Sequence, residues 1–394
     1  MMKTADVIVI GGGIVGASAA AEVAADGAKV LLLEMESRPG YHATGRSAAM
    51  YEPSEGVAVV RALTRASYPF FATPPEGFTD VPLLSPRGVL MFAYDGQDDL
   101  AADAIRNGFT EVDASFACAK LPLLKLEGTT AVLWDGQAQD VDIDALHGGR
   151  LRALRRMKGE VVVDSPVHAG KRVGGAWRLD AGNAAYEAPI VVLAAGAWSD
   201  RVAMSCGVAP VGLQPKRRSA AVISGPSGVA VGNWPEISPV DISFYCKPMG
   251  GKLMLSPADA EPVEPHDAWA DDLRLAEAAA GLEGLVDMSV QRLERTWGGL
   301  RTFAPDGQPV VGFDPAADGF FWLAGQGGHG IQTSPALSRL AAALVARRDV
   351  PADLAREVEK AAEGKGLHFL DAPVSGGQAG AEEPEFQVAV ASKT

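Results

Sequence analysis

The sequence predicts a mixed α/β fold in which a domain with a parallel sheet is joined to a second, β-rich domain. Residues 6–10 form a short apolar run that leads directly into glycines and an alanine-rich stretch, as a buried parallel strand leads into its crossover helix. Two later stretches, 51–141 and 208–301, are rich in short alternating segments that indicate strands. A chain of 394 residues is also too long for one hydrophobic core and suggests about two domains.

The first strand, turn and helix carry a nucleotide-binding motif. Gly11, Gly13 and Gly16 have the spacing Gly-x-Gly-x-x-Gly, which permits a tight turn, close approach of a pyrophosphate and packing of the helix on the sheet. The helix is predicted over 15–25, with its N-terminus towards the phosphates. The next strand, 29–33, ends at Glu34, whose carboxylate can accept both ribose hydroxyls and so favours FAD or NAD over NADP. The segment predicts a Rossmann-like domain.

Three later segments are predicted to complete this domain. The first is a helix over 144–157 followed by a strand over 160–164. The second is a buried strand within 188–198, and the third, 319–335, is a strand that enters a second glycine cluster before a helix over 336–347. The predicted cofactor-binding domain is therefore discontinuous, 1–50, 142–207 and 302–350; two insertions, 51–141 and 208–301, form the substrate-binding domain, and 351–394 is a C-terminal tail.

Charge and cysteine content exclude several classes of function. The net charge of −14 argues against a nucleic-acid or anionic-membrane surface, because such surfaces need basic patches. Three well-separated cysteines, Cys118, Cys206 and Cys246, fit a reducing compartment without a disulfide framework. Metal-ligand spacings and further apolar runs of membrane-spanning length do not occur. We therefore expect a cytoplasmic protein with no metal, no nucleic-acid partner and no transmembrane segment.

Several further segments occur in an order that is typical of one family. They are Gly40-Tyr-His-Ala-Thr-Gly-Arg-Ser-Ala-Ala49, Leu83-Leu-Ser-Pro-Arg87, Leu213-Gln-Pro-Lys-Arg-Arg-Ser219, Ser243-Phe-Tyr245 with Lys247-Pro248, Thr296-Trp297, Gly299-Leu-Arg301, Gly327-Gly328 and Gly330-Ile-Gln-Thr333. With the first glycine turn, they resemble the D-amino-acid oxidase superfamily of FAD enzymes, and within it most the D-arginine dehydrogenases, over about residues 5–350. The resemblance implies FAD as the cofactor and an oxidoreductase activity.

The family implies that FAD binds in an extended conformation. Its pyrophosphate would lie on the first glycine turn, its ribose on Glu34, and its isoalloxazine between the 44–49 loop and the 328–332 turn, where small residues can approach a flat ring. FAD is expected to be non-covalent, although His42 resembles a flavin-linking histidine of relatives that oxidise methylated glycines. The residues implied to contact FAD are Gly11, Gly13, Ile14, Val15, Gly16, Glu34, Thr44, Arg46, Ser47, Ala48, Ala49, Val167, Ala195, Gly196, Trp198, Arg301, Gly327, Gly328, His329, Gly330, Ile331, Gln332 and Thr333.

The resemblance also implies a small amino acid or amine substrate whose α-hydrogen passes to the flavin as a hydride. Arg301 matches the arginine that holds the substrate carboxylate, a task that suits a guanidinium because it donates two parallel hydrogen bonds. Tyr245 would supply a hydroxyl and Arg218 a second cation, and these three are the predicted catalytic residues. His329 could act as an acid or base or make a structural hydrogen bond. The imino acid product would hydrolyse to a 2-keto acid and ammonia, and a quinone, another carrier or oxygen would reoxidise the flavin.

The predicted substrate pocket departs from that of the D-arginine dehydrogenases. Val89 stands where those enzymes carry a glutamate that would pair with a guanidinium. Glu52, Glu55 and Glu236 lie elsewhere in the predicted pocket. Each of them, considered alone, is expected to be exposed at the surface. Glutamates that point inward would recognise a cationic substrate, whereas glutamates that face solvent would leave Val89 and Met50 to line a more apolar pocket. The predicted pocket comprises Met50, Glu52, Glu55, Val89, Glu236, Ser238, Gly328 and Gln332.

Other functions remain open at this point. Residues 364–383 are similar to the substrate-carboxylate loop of the 3-hydroxyisobutyrate (β-hydroxyacid) dehydrogenase family, and with the first glycine turn they would fit an NAD-dependent hydroxyacid dehydrogenase. The rest of that family's machinery has no place in the chain, so a fusion remnant is the simpler interpretation. The altered pocket would also fit a glycine-, sarcosine- or 2-hydroxy-acid-oxidising flavoenzyme, or a flavoprotein subunit without catalytic activity.

Overall fold

A computed structural model of the chain describes residues 2–363. Its strands are β1 (Lys3–Thr4), β2 (Val7–Ile10), β3 (Val30–Leu33), β4 (Met50–Tyr51), β5 (Leu84–Pro86), β6 (Val89–Tyr94), β7 (Thr110–Val112), β8 (Thr129–Asp135), β9 (Gln139–Val141), β10 (Glu160–Val162), β11 (Val167–Val173), β12 (Ala176–Ala181), β13 (Ala184–Ala188), β14 (Ile190–Leu193), β15 (Gln214–Ile223), β16 (Glu236–Pro239), β17 (Tyr245–Met249), β18 (Lys252–Ser256), β19 (Glu261–Pro262), β20 (Leu293–Phe303), β21 (Val310–Phe313) and β22 (Phe320–Ala324). Its α-helices are α1 (Ile14–Ala25), α2 (Ala58–Ala72), α3 (Asp98–Asn107), α4 (Ala114–Lys120), α5 (Ile143–Arg156), α6 (Ser199–Ser205), α7 (Asp272–Leu285), α8 (Gly330–Val345) and α9 (Ala352–Glu363), and a 3₁₀ helix covers Gly196–Trp198.

A six-stranded sheet in the order β10-β3-β2-β14-β22-β21 forms the nucleotide-binding part. The pairings from β10 to β22 are parallel, and only β21 is antiparallel to its neighbour. The sheet combines β2 and β3 with strands from the three later segments predicted to complete the domain, namely β10, β14 and β22. The predicted mixed α/β fold class is confirmed. Helix α1 packs between this sheet and helices α5 and α8, and its alanines permit the close approach.

A second, larger sheet has the strand order β19-β15-β18-β17-β16-β6-β8-β7, with β20 also paired to β15. Successive side chains of a strand point to opposite faces, so each strand serves both sides of this sheet. One face carries Leu90, Ile237, Cys246 and Leu255, which pack with Leu282 of α7 in a single apolar core. The opposite face turns towards the carboxyl ends of β2, β3 and β14. Two smaller sheets, β1-β13-β12-β11 and β4-β9-β5, complete the fold.

Helix α8 begins at Gly330, six residues earlier than the sequence predicts. Pro335 therefore lies inside the helix and not before it. Proline lacks the N–H group that would bond to the carbonyl of Ile331, and its ring disturbs the helix. Here the Ser334 hydroxyl donates to the Ile331 carbonyl at 3.0 Å. The N–H group of Ala336 donates instead to the Ser67 hydroxyl of α2, also at 3.0 Å. The prediction of a helix start at 336 is therefore wrong, since neighbouring hydroxyls satisfy the groups that the proline leaves unpaired.

The two β-rich stretches also contain helices that their alternating pattern did not predict, namely α2, α3, α4 and α7. Helix α2 packs on α8 and on α9. Leu354 and Val358 of α9 are buried in the same apolar core as α1 and α8. The start of the predicted tail is thus part of the packed structure, whereas the motif at 364–383 lies outside the described residues. None of the helices within residues 2–363 has the length and apolar character needed to cross a membrane.

Helix α9 is expected to contribute to stability through Leu354. Replacing a fully buried leucine by alanine removes apolar contacts and leaves a cavity, so Leu354→Ala should lower the free energy of unfolding by about 2–5 kcal/mol in a denaturant titration. The control is Leu273→Ala, because the Leu273 side chain is 69% exposed on α7 and its loss should change stability by less than about 0.5 kcal/mol. Equal effects of the two variants would show that α9 does not pack as described.

Candidate active site

A cavity of about 360 Å³ extends from the carboxyl ends of β2, β3 and β14 to the second face of the large sheet. Its wall brings together residues from most of the segments singled out in the sequence. The predicted site residues in the wall are Gly11, Gly13, Ile14, Val15, Glu34, Thr44, Arg46, Ser47, Ala48, Val167, Ala195, Gly196, Trp198, Arg218, Tyr245, Arg301, Gly327, Gly328, Gly330 and Ile331. One continuous space therefore connects the first glycine turn with the three predicted catalytic residues.

The first glycine turn is shaped by contacts that exclude side chains. A Cβ atom on Gly11 would lie 2.4 Å from the carbonyl oxygen of Ala194, and Gly11 has a φ of +107°. A Cβ atom on Gly16 would lie 2.0 Å from the carbonyl oxygen of Gly11, so Gly16 supports the turn from beneath rather than lining the cavity. The Thr44 hydroxyl accepts a hydrogen bond of 2.9 Å from the Ile14 N–H group at the start of α1.

Glu34 is oriented by backbone donors at the end of β3. One carboxylate oxygen accepts a hydrogen bond of 2.8 Å from the Gly12 N–H group, and the other accepts one of 2.9 Å from the Glu36 N–H group. Burial raises the pKa of the Glu34 carboxyl, and these two N–H groups oppose that shift. The carboxylate lines the cavity and retains acceptor capacity for further donors, such as ribose hydroxyls.

The loop over 40–49 borders the cavity between the two sheets. The Trp297 indole N–H group donates to the Arg46 carbonyl at 3.0 Å. The Arg46 guanidinium donates to the carbonyls of Ala268 and Gly298 at 3.0 Å and 2.9 Å. His42 lies 4.5 Å from Trp198 between ring centroids, and its Nε2 is 2.8 Å from a carboxylate oxygen of Glu36. That the flavin is not attached to His42 stays a prediction.

The second glycine turn lies against Arg301. A Cβ atom on Gly328 would lie 2.7 Å from Cδ of Arg301, so only glycine leaves room for this arginine. Next in the turn, His329 has its pKa lowered to about 4, first by burial and then by Arg301 and Arg218. Its Nδ1 is 3.1 Å from the Gln332 side-chain nitrogen. At neutral pH this histidine is uncharged, which argues for the structural hydrogen bond and against a role as a general acid.

Arg301 and Arg218 line the same end of the cavity, and no acid among residues 2–363 forms a salt bridge with either of them. In the ladder of β15 and β20, Arg218 pairs with Gly299 and Lys216 pairs with Arg301, so both arginines lie on the same face of the sheet. Within residues 2–363 neither guanidinium forms a salt bridge, whereas the neighbouring Arg217 pairs with three acids, Asp259, Glu261 and Asp271.

The two arginines also affect each other. Burial and then the charge of Arg301 lower the pKa of Arg218 to about 10, so Arg218 remains cationic at neutral pH. In the described part of the chain, Nε of Arg218 is buried without a hydrogen-bond partner. The Tyr245 hydroxyl adjoins the Arg218 guanidinium. Free donors, two positive charges and a hydroxyl at one end of a cavity favour an anionic ligand such as a carboxylate.

The three glutamates of the predicted pocket lie beside this cavity, and the expectation of surface exposure is wrong for them. Glu236 is only 8% exposed, and Glu52 and Glu55 are half-buried. Burial raises the pKa of Glu236 to about 7 and that of Glu52 well above its usual range. Burial also raises the pKa of Glu55, although Arg301 and Arg218 oppose the shift. Glu236 turns inward because it lies on β16 within the large sheet, on the face opposite to Ile237 in the core, and at neutral pH it is partly protonated.

The register of the strands explains where the remaining pocket residues lie. Glu236 pairs with Val89, and Ser238 pairs with Met91, in the parallel ladder of β16 and β6. All four side chains share a face, opposite to Leu90 and Ile237 in the core. Met50, Glu52, Glu55, Val89, Glu236, Ser238 and Gln332 are not part of the cavity wall itself. They form a layer next to it, as do Ala49, His329 and Thr333 of the predicted cofactor contacts.

The profile of the FAD dependent oxidoreductase family matches residues 6–344. The chain belongs to this family, and its cofactor is FAD. A glycine oxidase from Pseudomonas aeruginosa is 28% identical over 363 residues, which cover 87% of this chain and 95% of the relative. The crystal structure of glycine oxidase from Geobacillus kaustophilus has a TM-score of 0.77 and 22% identity, and it covers 90% of this chain and 98% of that one.

Two further matches cover only part of a chain. FAD-dependent oxidoreductase domain-containing protein 1 from Xenopus laevis is 28% identical over 180 residues, and the match spans only 35% of that protein. The profile of the NAD binding domain of 6-phosphogluconate dehydrogenase matches residues 341–394. The predicted resemblance of the C-terminal segment to hydroxyacid dehydrogenases is thereby supported, while the match begins inside α8 of the FAD-dependent oxidoreductase fold.

The cavity fits FAD by its shape and its donors. The space that Gly11 and Gly13 leave at the start of α1 suits a pyrophosphate, because the first N–H groups of a helix lack partners within the helix. Glu34 suits a ribose, as described above. Ala48, Ala220, Tyr245 and Met254 belong to one apolar cluster that borders the cavity and suits a flat ring.

Three residues that contact or line this site were not among those predicted from the sequence, namely Lys247, Met254 and Ala194. For Lys247 and Met254 the available signal was the two-residue period of a strand. Lys247 lies two residues beyond Tyr245 on β17 and therefore on the same face, and Met254 pairs with Lys247 across the β17–β18 hairpin. The small residues at the end of the strand within 188–198 indicated a close approach of backbone, but no local signal showed that Ala194 would contact Gly11 in a distant segment.

The contact at Gly11 predicts a loss of bound flavin when a methyl group is added. Gly11→Ala should displace the turn from Ala194 and lower the flavin content of purified protein by roughly fivefold or more, because about 1–3 kcal/mol of strain falls on the turn that would hold the pyrophosphate. Gly27→Ala is the matched control. Gly27 also has a positive φ, +94°, but its Cβ atom would meet nothing within 4 Å. Normal flavin absorbance per chain in both variants would contradict the prediction.

Proposed function

We propose that the protein oxidises the Cα–N bond of an amino acid, of D configuration or a related amine, by hydride transfer to FAD. The product is an imino acid, which water hydrolyses to a 2-keto acid and ammonia. The observation that carries the proposal is the pair Arg301 and Arg218, which face the cavity without a salt-bridge partner among the described residues. The glycine oxidases among the relatives support an amino substrate.

Arg301 and Arg218 would bind the substrate carboxylate. A guanidinium that donates two parallel hydrogen bonds fixes both the position and the plane of a carboxylate, and thereby the direction of the α-hydrogen. Tyr245, which is 7% exposed beside Arg218, would donate a further hydrogen bond from its hydroxyl. FAD, when bound, would accept the electrons of the substrate. The residues of the chain supply orientation and charge, and the apolar cluster around Tyr245 and Met254 limits access of water.

A glycine- or sarcosine-type substrate is the second candidate. The full-length relatives that favour it are named glycine oxidases, at 24% and 28% identity. A substrate without a side chain would leave the layer of glutamates beside the cavity without a ligand. A larger substrate would bring its side chain towards that layer. Anaerobic reduction of the flavin by D- and L-amino acids, glycine, N-methylated amino acids and 2-hydroxy acids separates these alternatives. A flavin that no amine reduces would refute the proposed function.

The carboxylate role of Arg301 predicts a large and selective loss of activity. Arg301→Met should lower kcat/KM for the best amino acid substrate by roughly a hundredfold or more, since a desolvated carboxylate loses its charged partner. Flavin content should remain within about twofold of the unaltered protein. Arg295→Met is the control, because Arg295 lies on the same strand but is exposed. If the loss of activity is explained by a loss of bound flavin, and not by weaker binding of the substrate carboxylate, this assignment is wrong.

The inward-facing glutamates predict a preference for basic side chains. Glu236→Gln should lower the ratio of kcat/KM for D-lysine to that for D-norleucine by about tenfold, because the amide cannot become negative. In the unaltered protein this ratio should rise as the pH passes through about 7, where Glu236 loses its proton. Glu127→Gln is the control, since Glu127 is exposed. If the ratio is unchanged in Glu236→Gln, Glu236 does not recognise the substrate side chain. The proposed oxidation would not be affected by that result.

A further inference from the structure

The backbone of Ala49 has a conformation that alanine rarely adopts. Its φ is +54°, in the left-handed region that favours glycine, and it occurs directly after Ala48 in the cavity wall. An L-residue with a side chain has higher energy in this region, so the surrounding structure must hold it there. Strained backbone of this kind tends to lie at functional sites, and here it joins the 40–48 loop to strand β4.

Hydrogen bonds hold the backbone groups on both sides of Ala49. The Ala49 N–H group donates to the Ser47 hydroxyl at 3.0 Å, and the Ala49 carbonyl accepts from the Val141 N–H group at 2.7 Å. The carbonyl of Ala48 accepts a hydrogen bond of 2.7 Å from the Lys247 ammonium. This last bond is the only one of the three that comes from the large sheet, and it reaches the peptide between Ala48 and Ala49.

Lys247 is itself held by a buried network of charges. Its side chain is 4% exposed, and its Nζ lies 2.5 Å from a carboxylate oxygen of Asp140 and 3.1 Å from the sulfur of Met50. The other oxygen of Asp140 accepts from Nε of Arg87 at 2.8 Å. Arg87 in turn donates to the carbonyls of Gly232 and Trp234, each at 2.7 Å. The ammonium is therefore fixed from several sides and cannot readily move away from the Ala48 carbonyl.

We propose that Lys247 is a positioning residue that holds the Ala48–Ala49 peptide in its left-handed conformation, and that this conformation is required for tight FAD binding. Without the ammonium, the peptide would relax towards an ordinary conformation and Ala48 would leave its place in the cavity wall. FAD binds only the fraction of molecules with the correct loop, so its apparent affinity falls by that fraction. The proposal concerns the cofactor site and does not depend on which substrate is oxidised.

The test combines a charge deletion with relief of the backbone strain. Lys247→Met should weaken FAD binding by about tenfold or more, measured by the fluorescence of flavin released when the holoenzyme is diluted. The affinity of Ala49→Gly alone is the reference for the double variant, because glycine adopts positive φ without strain. In the double variant, glycine should restore several-fold of the lost affinity. The visible circular dichroism of the bound flavin should change in Lys247→Met and return in the double variant.

Controls separate positioning from a general effect on folding. Lys252→Met makes the same change in the same hairpin, but Lys252 is exposed and pairs with Glu294, so FAD affinity should be unaltered. Lys247→Arg keeps a cation beside Asp140. If Lys247→Met does not fold, Lys247→Arg is used instead. It should lose less FAD affinity, and adding Ala49→Gly should restore the affinity that is lost. Unaltered FAD affinity in Lys247→Met, or a loss that Ala49→Gly does not reduce in any Lys247 variant, would overturn the proposal.

Discussion

The close approach of Gly11 to Ala194 is the constraint on which the cofactor site depends. Strands β2 and β14 are parallel neighbours that pair Ile10 with Leu193, so the residues that follow them meet at one edge of the sheet. A single methyl group at Gly11 would come within 2.4 Å of the Ala194 carbonyl oxygen. The same edge receives Glu34 after β3 and the second glycine turn after β22. Parallel pairing thus places three distant segments side by side in one wall of the cavity. The carboxyl ends of parallel strands form the binding site in the same way in other nucleotide-binding sheets.

The proposed substrate-binding end of the site depends on a different constraint, the two-residue period of a strand. Ile237 and Cys246 pair on the core face of the large sheet, which directs Ser238, Tyr245 and Lys247 to the other face. The residues that would bind substrate are therefore carried by strands rather than by flexible loops. A shift of the register by one residue would exchange the two sets, placing Lys247 in an apolar core. Burial of the core face and the position of the site residues are consequently fixed by the same packing.

Local patterns were sufficient for the elements whose causes are local. The strand, glycine turn, helix and acid between residues 6 and 34 are close in sequence, and their spacing predicted both their structure and a dinucleotide cofactor, FAD or NAD. FAD itself was implied by the family resemblance. The start of α8 was not predictable in this way, because the Ser67 hydroxyl that stabilises it lies 269 residues away. The burial of Glu236 depends on β16 lying beside β6, a pairing that no local pattern shows. Lys247 was visible in the sequence as part of a family segment, but its proposed positioning role rests on contacts with Ala48 and Asp140.

The distribution of charge in the site explains why it should select an anionic ligand although many acids lie nearby. Glu55 is close enough for Arg301 and Arg218 to oppose the rise of its pKa, yet no salt bridge joins it to either arginine in the described chain. Direct pairing would occupy the guanidinium donors and neutralise the site. Instead two cations remain close to each other, which is unfavourable; burial and then the charge of Arg301 lower the pKa of Arg218. Under the proposed function, a substrate carboxylate would relieve this repulsion and accept hydrogen bonds from the guanidinium groups, so the arrangement of the two arginines would favour binding of an anion.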